Sequence, residues 1–267
     1  MRFFLLFIIC SSVSLHGIGQ LKKVAELDVD NLKSASVDRL GNFYLLFHSG
    51  IIQKLDPNGE LLEETKEPYT DLALLEPWNP LSVFLYNANK QSITYLDHHL
   101  NAVETFRLEP SLSISPKLVC PDNLVNKIWI YDDADHTIKK IDQPTSTILV
   151  DEPLPSDWIQ EKPNIIFMRE YQNMVFLLDQ GNSIIILNSL GLPITRIKTD
   201  TRNFFNFNGE ELCYLQGESL LLWDLHTGDA RTVTKVSAPD EVRFMIITDE
   251  RLLIVREQIA EILALKI

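Results

Sequence analysis

Cysteine is scarce in this 267-residue chain, with three in all: Cys10, Cys120 and Cys213. So few thiols argue against a disulfide-stapled scaffold, so the fold must be held by its core. Cys120 and Cys213 read as small buried apolar residues, and a bridge between them is not expected. Long apolar runs are missing as well. No stretch approaches the 18 or so residues that a membrane-spanning helix requires, so no membrane span is expected. Basic charge is in deficit, with 24 Lys and Arg against 37 Asp and Glu, a formal net charge of −13. That balance argues against nucleic acid as a partner, because phosphate contacts need a basic face. It argues equally against docking onto anionic lipid. No Asn-X-Ser/Thr acceptor occurs, which tilts the expected setting toward a bacterial envelope.

What is present at the N-terminus is MRFFLLFIICSSVSLHGIGQ. One cation, Arg2, precedes an apolar run from Phe3 to Cys10, and small and polar residues follow, ending Gly17-Ile18-Gly19. This is the layout of a secretory leader. Cleavage is expected after Gly19, giving residues 1–19 as signal peptide and 20–267 as a single domain. Lipid attachment at Cys10 is not expected, because Phe7-Ile8-Ile9 makes a poor lipobox. Losing residues 1–19 removes Arg2 and no acid, which moves the net charge to −14. The expected location is the periplasm or the extracellular space.

A repeat runs through the remainder. Units open at Asn42, Ser82, Lys127, Met174, Glu211 and Arg251. Each begins with about four apolar or aromatic residues, then a short polar turn, then a second strand. In five units the second strand closes on an apolar residue plus Asp or Asn: Leu55-Asp56, Leu96-Asp97, Ile141-Asp142, Leu187-Asn188 and Trp223-Asp224. The Asp/Asn spacings are 41, 45, 46 and 36 residues. Such periods belong to propeller blades of four strands each. A further short strand precedes each unit: Ser34–Asp38, Leu72–Leu75, Lys117–Cys120, Asn164–Met168, Asn203–Phe207 and Val242–Thr248. The sixth unit stops without a fourth strand, while Leu21–Val29 has no partner beside the first. The expectation is an all-β, six-bladed propeller of four-stranded antiparallel blades, its ring closed by Leu21–Val29 completing the last blade.

The first blade, SASVDRLGNFYLLFHSGIIQKLDPNGELLEE, resembles the NHL repeat. Val37-Asp38, Gly41-Asn42, Phe43-Tyr44, Ile52, Leu55-Asp56 and Gly59 sit where that family places its own motif residues. The match covers about 30 residues, and the other blades keep only the apolar-Asp or apolar-Asn turn. The resemblance implies a six-bladed propeller of NHL or TolB type, and it carries no catalytic residue. Trp223-Asp224 also resembles the WD40 dipeptide, a weak signal on its own.

In propellers of this kind the connections from the outermost strand to the next blade, and from second to third strand, share the face that usually binds. On that face the densest chemistry is YDDADH, with Asp132, Asp133, Asp135 and His136. Oxygen ligands at alternating positions suit Ca²⁺, but the Gly and Glu of an EF-hand loop are missing, and a solvated hairpin loop is the simpler reading. Trp158 lies in a long connection on the same face and is a candidate interaction hot spot. Asp97-His98-His99-Leu100 reads as a turn capped by its Asp rather than as a metal site. No G-x-S-x-G elbow occurs, and neither a metal nor a cofactor is expected. The leading expectation is a non-catalytic module docking a protein or peptide in the bacterial envelope, alone or within a larger outer-membrane assembly. The alternative is binding or hydrolysis of a sugar or lactone at the axis, which requires Asn206, Arg169 and Arg243 to converge there.

Overall fold

Twenty-four strands and one short 3₁₀ turn at Pro239–Glu241 build the computed structural model, which describes residues 21–159 and 163–265. The leader assigned to 1–19, with Cys10, lies outside the described residues. In chain order β1 is Lys22–Asp28. The first blade holds β2 (Leu32–Val37), β3 (Phe43–Phe47), β4 (Ile52–Leu55) and β5 (Leu61–Glu64). The second holds β6 (Leu72–Glu76), β7 (Val83–Asn87), β8 (Ser92–Leu96) and β9 (Ala102–Arg107). The third holds β10 (Pro116–Pro121), β11 (Lys127–Asp132), β12 (Thr137–Asp142) and β13 (Thr147–Pro153). The fourth holds β14 (Ile165–Tyr171), β15 (Met174–Asp179), β16 (Ser183–Leu187) and β17 (Pro193–Lys198). The fifth holds β18 (Asn206–Asn208), β19 (Glu211–Gln216), β20 (Ser219–Asp224) and β21 (Ala230–Lys235). The last comprises β22 (Phe244–Ile247), β23 (Arg251–Val255) and β24 (Ile259–Ala264), and its outermost strand is β1. Every sheet is a four-stranded antiparallel meander.

Burial explains the patterning. The second and third strands of a blade are covered on both faces by neighbouring blades, so β7 and β16 are buried along their whole length. Strands covered on both faces read as continuous apolar runs. The outermost strands face solvent on one side and alternate, as in β13 and β17. The core follows, with Phe84, Trp129, Phe176 and Leu253 among its buried members. Cys120 and Cys213 are both buried and free.

Ring closure falls where the sequence places it. Leu27 of β1 pairs with Ala260 of β24, and the ladder runs from Lys22 opposite Ala264 to Asp28 opposite Ile259. The innermost strand of the fifth blade is shorter than expected, three residues rather than Asn203–Phe207. Asn203 and Phe204 run as a connection instead. The amide of Asn203 is spent on the backbone oxygen of Arg243 at 3.0 Å, and Phe204 packs on Phe167.

The turns after the third strand share one solution in the first, second, fourth and fifth blades. The carboxylate of Asp97 accepts the backbone N–H groups of His99 and Asn101, both at 2.9 Å. Asp56 does the same for Asn58 and Glu60, Asn188 for Leu190 and Leu192, and Asp224 for His226 and Thr227. The repeated Asp or Asn is therefore the residue that folds the chain back toward the outermost strand. His99 turns outward to Glu63 at 2.7 Å, and among the described residues no group of metal-ligating side chains converges.

A second recurrence was not visible in the sequence. Near its start the innermost strand of each of the first four blades carries one extra residue, a β-bulge at Lys33, Ala73, Lys117 and Ile166. A bulge leaves its extra residue unpaired and re-aims its side chain. Three of the four, Lys33, Ala73 and Ile166, line the cavity at that end of the axis. This end is called the upper face below; the connections from first to second and from third to fourth strands form the lower face.

Candidate functional site

The axis is closed midway by a buried ion pair. Arg169 on β14 reaches across the centre to Glu76 on β6, with Nε to Oε2 at 2.5 Å and Nη2 to Oε1 at 3.0 Å. Nη2 also donates to Ser36 Oγ on β2 at 3.2 Å. One guanidinium thus ties the fourth blade to the second and the first, which no group lying off the axis could do. Arg169 is 2% exposed, and its charge lies over the rings of Phe204 and Phe167, 5.4 and 5.8 Å from their centroids. Its Nη1 has no partner. Bidentate pairing supplies the compensation that a buried guanidinium requires.

Arg169, Asn206 and Arg243 do not converge. Asn206 is wholly buried; its Nδ2 donates to the Ile247 carbonyl at 2.7 Å and its Oδ1 accepts the Ile247 N–H at 3.3 Å. It imitates a backbone ladder and stitches the fifth blade to the sixth. Arg243 lies at the upper mouth, beside a cavity of about 270 Å³. The three residues occupy different levels and different partners, so the arrangement required for axial sugar or lactone hydrolysis is not formed.

The acidic loop of the upper face is largely engaged with its own chain. Asp132 is fully buried rather than solvated. It accepts from the Ser113 hydroxyl at 2.7 Å and from the N–H groups of Ile114, Ser115 and Ala134. Burial opposes its ionisation, but the Ser113 hydroxyl and those N–H groups outweigh burial and hold its pKa below the ordinary carboxylate value. Asn87 and Asp179 brace the preceding connection from the equivalent strand end, through Thr70 and Asn164. Asp133 pairs with Lys117 at 3.3 Å, and Asp135 caps Thr137. Lys139 sits among Asp132, Asp135 and Asp151 at 3.6 to 3.7 Å. His136 takes a left-handed backbone, φ 56°, and its Nδ1 meets the Tyr131 hydroxyl at 2.9 Å. Trp158 is half-buried against the main core.

The lower face is different. Two adjoining hollows of about 500 and 720 Å³ open there and share Arg39, Trp78 and Tyr171. Trp78 stands edge-on to Tyr171 at 5.4 Å, and Tyr171 stacks on Phe207 at 4.1 Å. Around the larger hollow the loop tips and one strand end are apolar: Leu81 is 67% exposed, Val103 70%, Leu124 53% and Val125 83%. Leu40 adds a fifth, in the first blade's lower loop. Carboxylates are dense on the same face. Asp38, Glu76, Asp122 and Glu170 stand at or next to the lower ends of four consecutive innermost strands, each accepting a nearby backbone N–H. Backbone N–H groups of Asn101 and Thr227 hold Asp97 and Asp224 below the usual carboxylate range, so both stay charged in mild acid. Glu170 goes the other way. Burial pushes its pKa up to about 7, with the charge of Asp122 adding to the rise.

Sequence reasoning missed Glu170, Trp78 as a cavity wall, and Lys33. The acid-ended innermost strand was a usable signal, obscured because the loops that follow differ in length. Catalytic equipment is thin among the described residues. Both cysteines are buried, and burial raises both thiols well above the usual value. Glu170, its carboxyl raised toward neutrality, stands beside the buried Cys120 thiol, which burial keeps protonated, and among the described residues no metal-ligating cluster forms there.

No family model matches the chain, and no curated protein matches it in sequence. Solved structures do. The WD40 domain of Pan2 from Neurospora crassa is similar at TM-score 0.60 and 9% identity, covering 92% of this chain and 96% of that one. Virginiamycin B lyase from Staphylococcus aureus gives TM-score 0.58 and 11% identity, covering 92% and 100%. BBS1N, solved in complex with ARL6DN, gives TM-score 0.60 and 9% identity, covering 92% and 97%. At these identities the likeness establishes the β-propeller fold, here in its six-bladed form, and fold alone does not assign activity.

Proposed function

We propose that this propeller is a non-catalytic docking module that receives a protein or peptide partner on its lower face. The observation that carries the reading is the 720 Å³ hollow with its exposed apolar rim of Leu81, Val103, Leu124 and Val125. Contiguous exposed apolar surface rimmed by polar groups marks interaction sites, and Trp78 and Tyr171 supply aromatic anchors of the kind that dominate interface energy. Glu76 and Asp122 are neutralised by Arg169 and Lys140. The turn carboxylates Asp56, Asp97 and Asp224 carry no ion pair among the described residues and favour a segment with apolar side chains and basic residues, since complementary charge steers and selects partners. A neighbour of the same fold, BBS1N, is itself solved with a bound partner, which is support by analogy. The leader-like N-terminus supports a location in the bacterial envelope, free or in a larger outer-membrane assembly. The NHL-like first blade supports reading the ring as a propeller of NHL or TolB type.

The test is cross-linking and affinity co-purification of the tagged chain from its native cell envelope, in three forms. Wild type should recover one stoichiometric partner. A Leu81→Asp/Val125→Asp variant should lose it. An Ile114→Asp variant, which alters an exposed apolar residue of the upper face, should keep it. Retention by the lower-face variant, or loss by the upper-face one, would overturn the assignment.

A further inference from the structure

The upper cavity breaks the charge rule that governs the rest of the molecule. Among the described residues it is lined by the basic residues Lys33 and Arg243 and by no carboxylate, in a chain whose net charge is −13. Both cations line this one cavity. Arg243 Nη2 donates to the Leu32 carbonyl at 2.8 Å, which places its guanidinium against the peptide that leads into Lys33. The bulge in β2 skips Lys33 in the ladder and its side chain lines the cavity. Neither cation has an ion-pair partner among the described residues, although Lys117, the equivalent bulge residue of the third blade, pairs with Asp133. Three carboxylates of this face are engaged elsewhere: Asp240 with Arg202 at 2.7 Å, Asp200 with the Gly217 N–H, and Asp179 with Asn164 and Asn182. An anion bound between them would supply the counter-charge that the described residues do not.

The rest of the lining is mostly apolar, with Ser34, Gln180 and Asn203 its uncharged polar members. Leu72, Leu74 and Leu75 form one side, Phe167, Phe204 and Phe244 the other. The Arg169–Glu76 pair closes the axis below, so a ligand entering from above meets a floor rather than a through-channel. At about 270 Å³ the space falls just under the range for drug-sized ligands.

We propose that this cavity binds a small organic anion, a compact apolar body ending in a carboxylate or phosphate, with Lys33 and Arg243 holding the charged head and the phenylalanines the body. Arg presents a planar fork suited to such oxyanions and Lys a point charge. The site lies on the face opposite the docking hollow and stands or falls independently of it.

Isothermal titration at low ionic strength decides the matter, with benzoate and phenyl phosphate as anionic probes and benzamide as the neutral counterpart. At least one anion should bind at least about tenfold more tightly than benzamide, and more weakly as salt is added. Lys33→Met should cut anion affinity by about tenfold, leave benzamide unchanged, and leave the melting temperature without ligand unchanged, because Lys33 has no partner to lose. Equal binding of anions and benzamide would overturn the proposal. So would an absence of anion binding up to about 10 mM, or wild-type anion affinity in Lys33→Met.

Discussion

The two ends of the propeller axis are built from the same strands yet differ in charge, size and exposed apolar surface. The upper end is a narrow cavity with two cations and an aromatic wall. The lower end is wide, acidic and apolar at its loop tips. One strand supplies both: β14 lines the upper cavity with Ile166 and Phe167, and the lower hollow with Arg169, Glu170 and Tyr171. The difference comes from the turns. Lower-face turns are closed by side-chain carboxylates that accept backbone N–H groups, so acidity accumulates there as a by-product of folding. On the upper face most blade-to-blade connections are longer, and one acid, Asp132, is drawn inward by the Ser113–Ser115 segment. Bulges then turn individual side chains toward the axis.

The largest expected effect comes from removing the wall between the two ends. Glu76→Gln leaves the Arg169 charge buried and uncompensated, a loss of about 3–5 kcal/mol, to be read from urea unfolding. A paired Glu76→Met/Arg169→Met variant should recover most of that loss, since apolar replacement of both partners is often neutral. If the single variant is as stable as wild type, the pair does not hold the axis.

Glu170 sharpens the contrast through pH. Its pKa in the fold, about 7, lies above the ordinary value near 4.5, so the folded state holds the proton more tightly. That contribution is fully present below about pH 4.5 and is lost as pH rises toward and through about 7. Glu170→Gln should therefore be more stable than wild type at pH 8, by up to about 3 kcal/mol, with the advantage gone at pH 4. A constant difference across that range would refute the assignment.

Asp132 and Asp97 compare the two faces directly. Asp132→Asn should cost about 1.5–3 kcal/mol, because a buried charged acceptor loses several bonds. Asp97→Asn, on an exposed turn where Asn already serves in the fourth blade, should cost less than about 0.5 kcal/mol. The smallest effect is expected at the apolar rim: Val125→Asp should change stability by less than about 0.5 kcal/mol while weakening partner binding. A large loss of stability there would mean that the loop tip packs on the fold rather than on a partner.

The architecture was legible because its punctuation is chemical. Leu55-Asp56, Leu96-Asp97 and Trp223-Asp224 report a turn that each blade must make, and the unpartnered Leu21–Val29 segment reports a ring that must close. The candidate site was legible only in part. Asp132, Asp133, Asp135 and His136 do lie together on the upper face, but the groups that engage Asp132 come from the connection some 17 to 19 residues before it, a distance no local pattern reveals. Arg169 was identified as an axial residue, but its partners Glu76 and Ser36 come from other blades. Lys33 gave no signal, because a bulge depends on pairing with β3 and leaves β2 looking like an ordinary strand.

The pairing of β1 with β24 also sets a timetable. β1 precedes every other described strand in the chain and its partner follows them all, with about 230 residues between them. Contacts so distant along the chain are slow to form. Until β24 emerges, the first strand has nothing to pair with and the growing row of blades has two open ends, each a template for unwanted strand pairing. An incomplete chain is therefore an open fan of blades rather than a smaller ring, and its exposure to aggregation and proteolysis lasts until the final strand arrives.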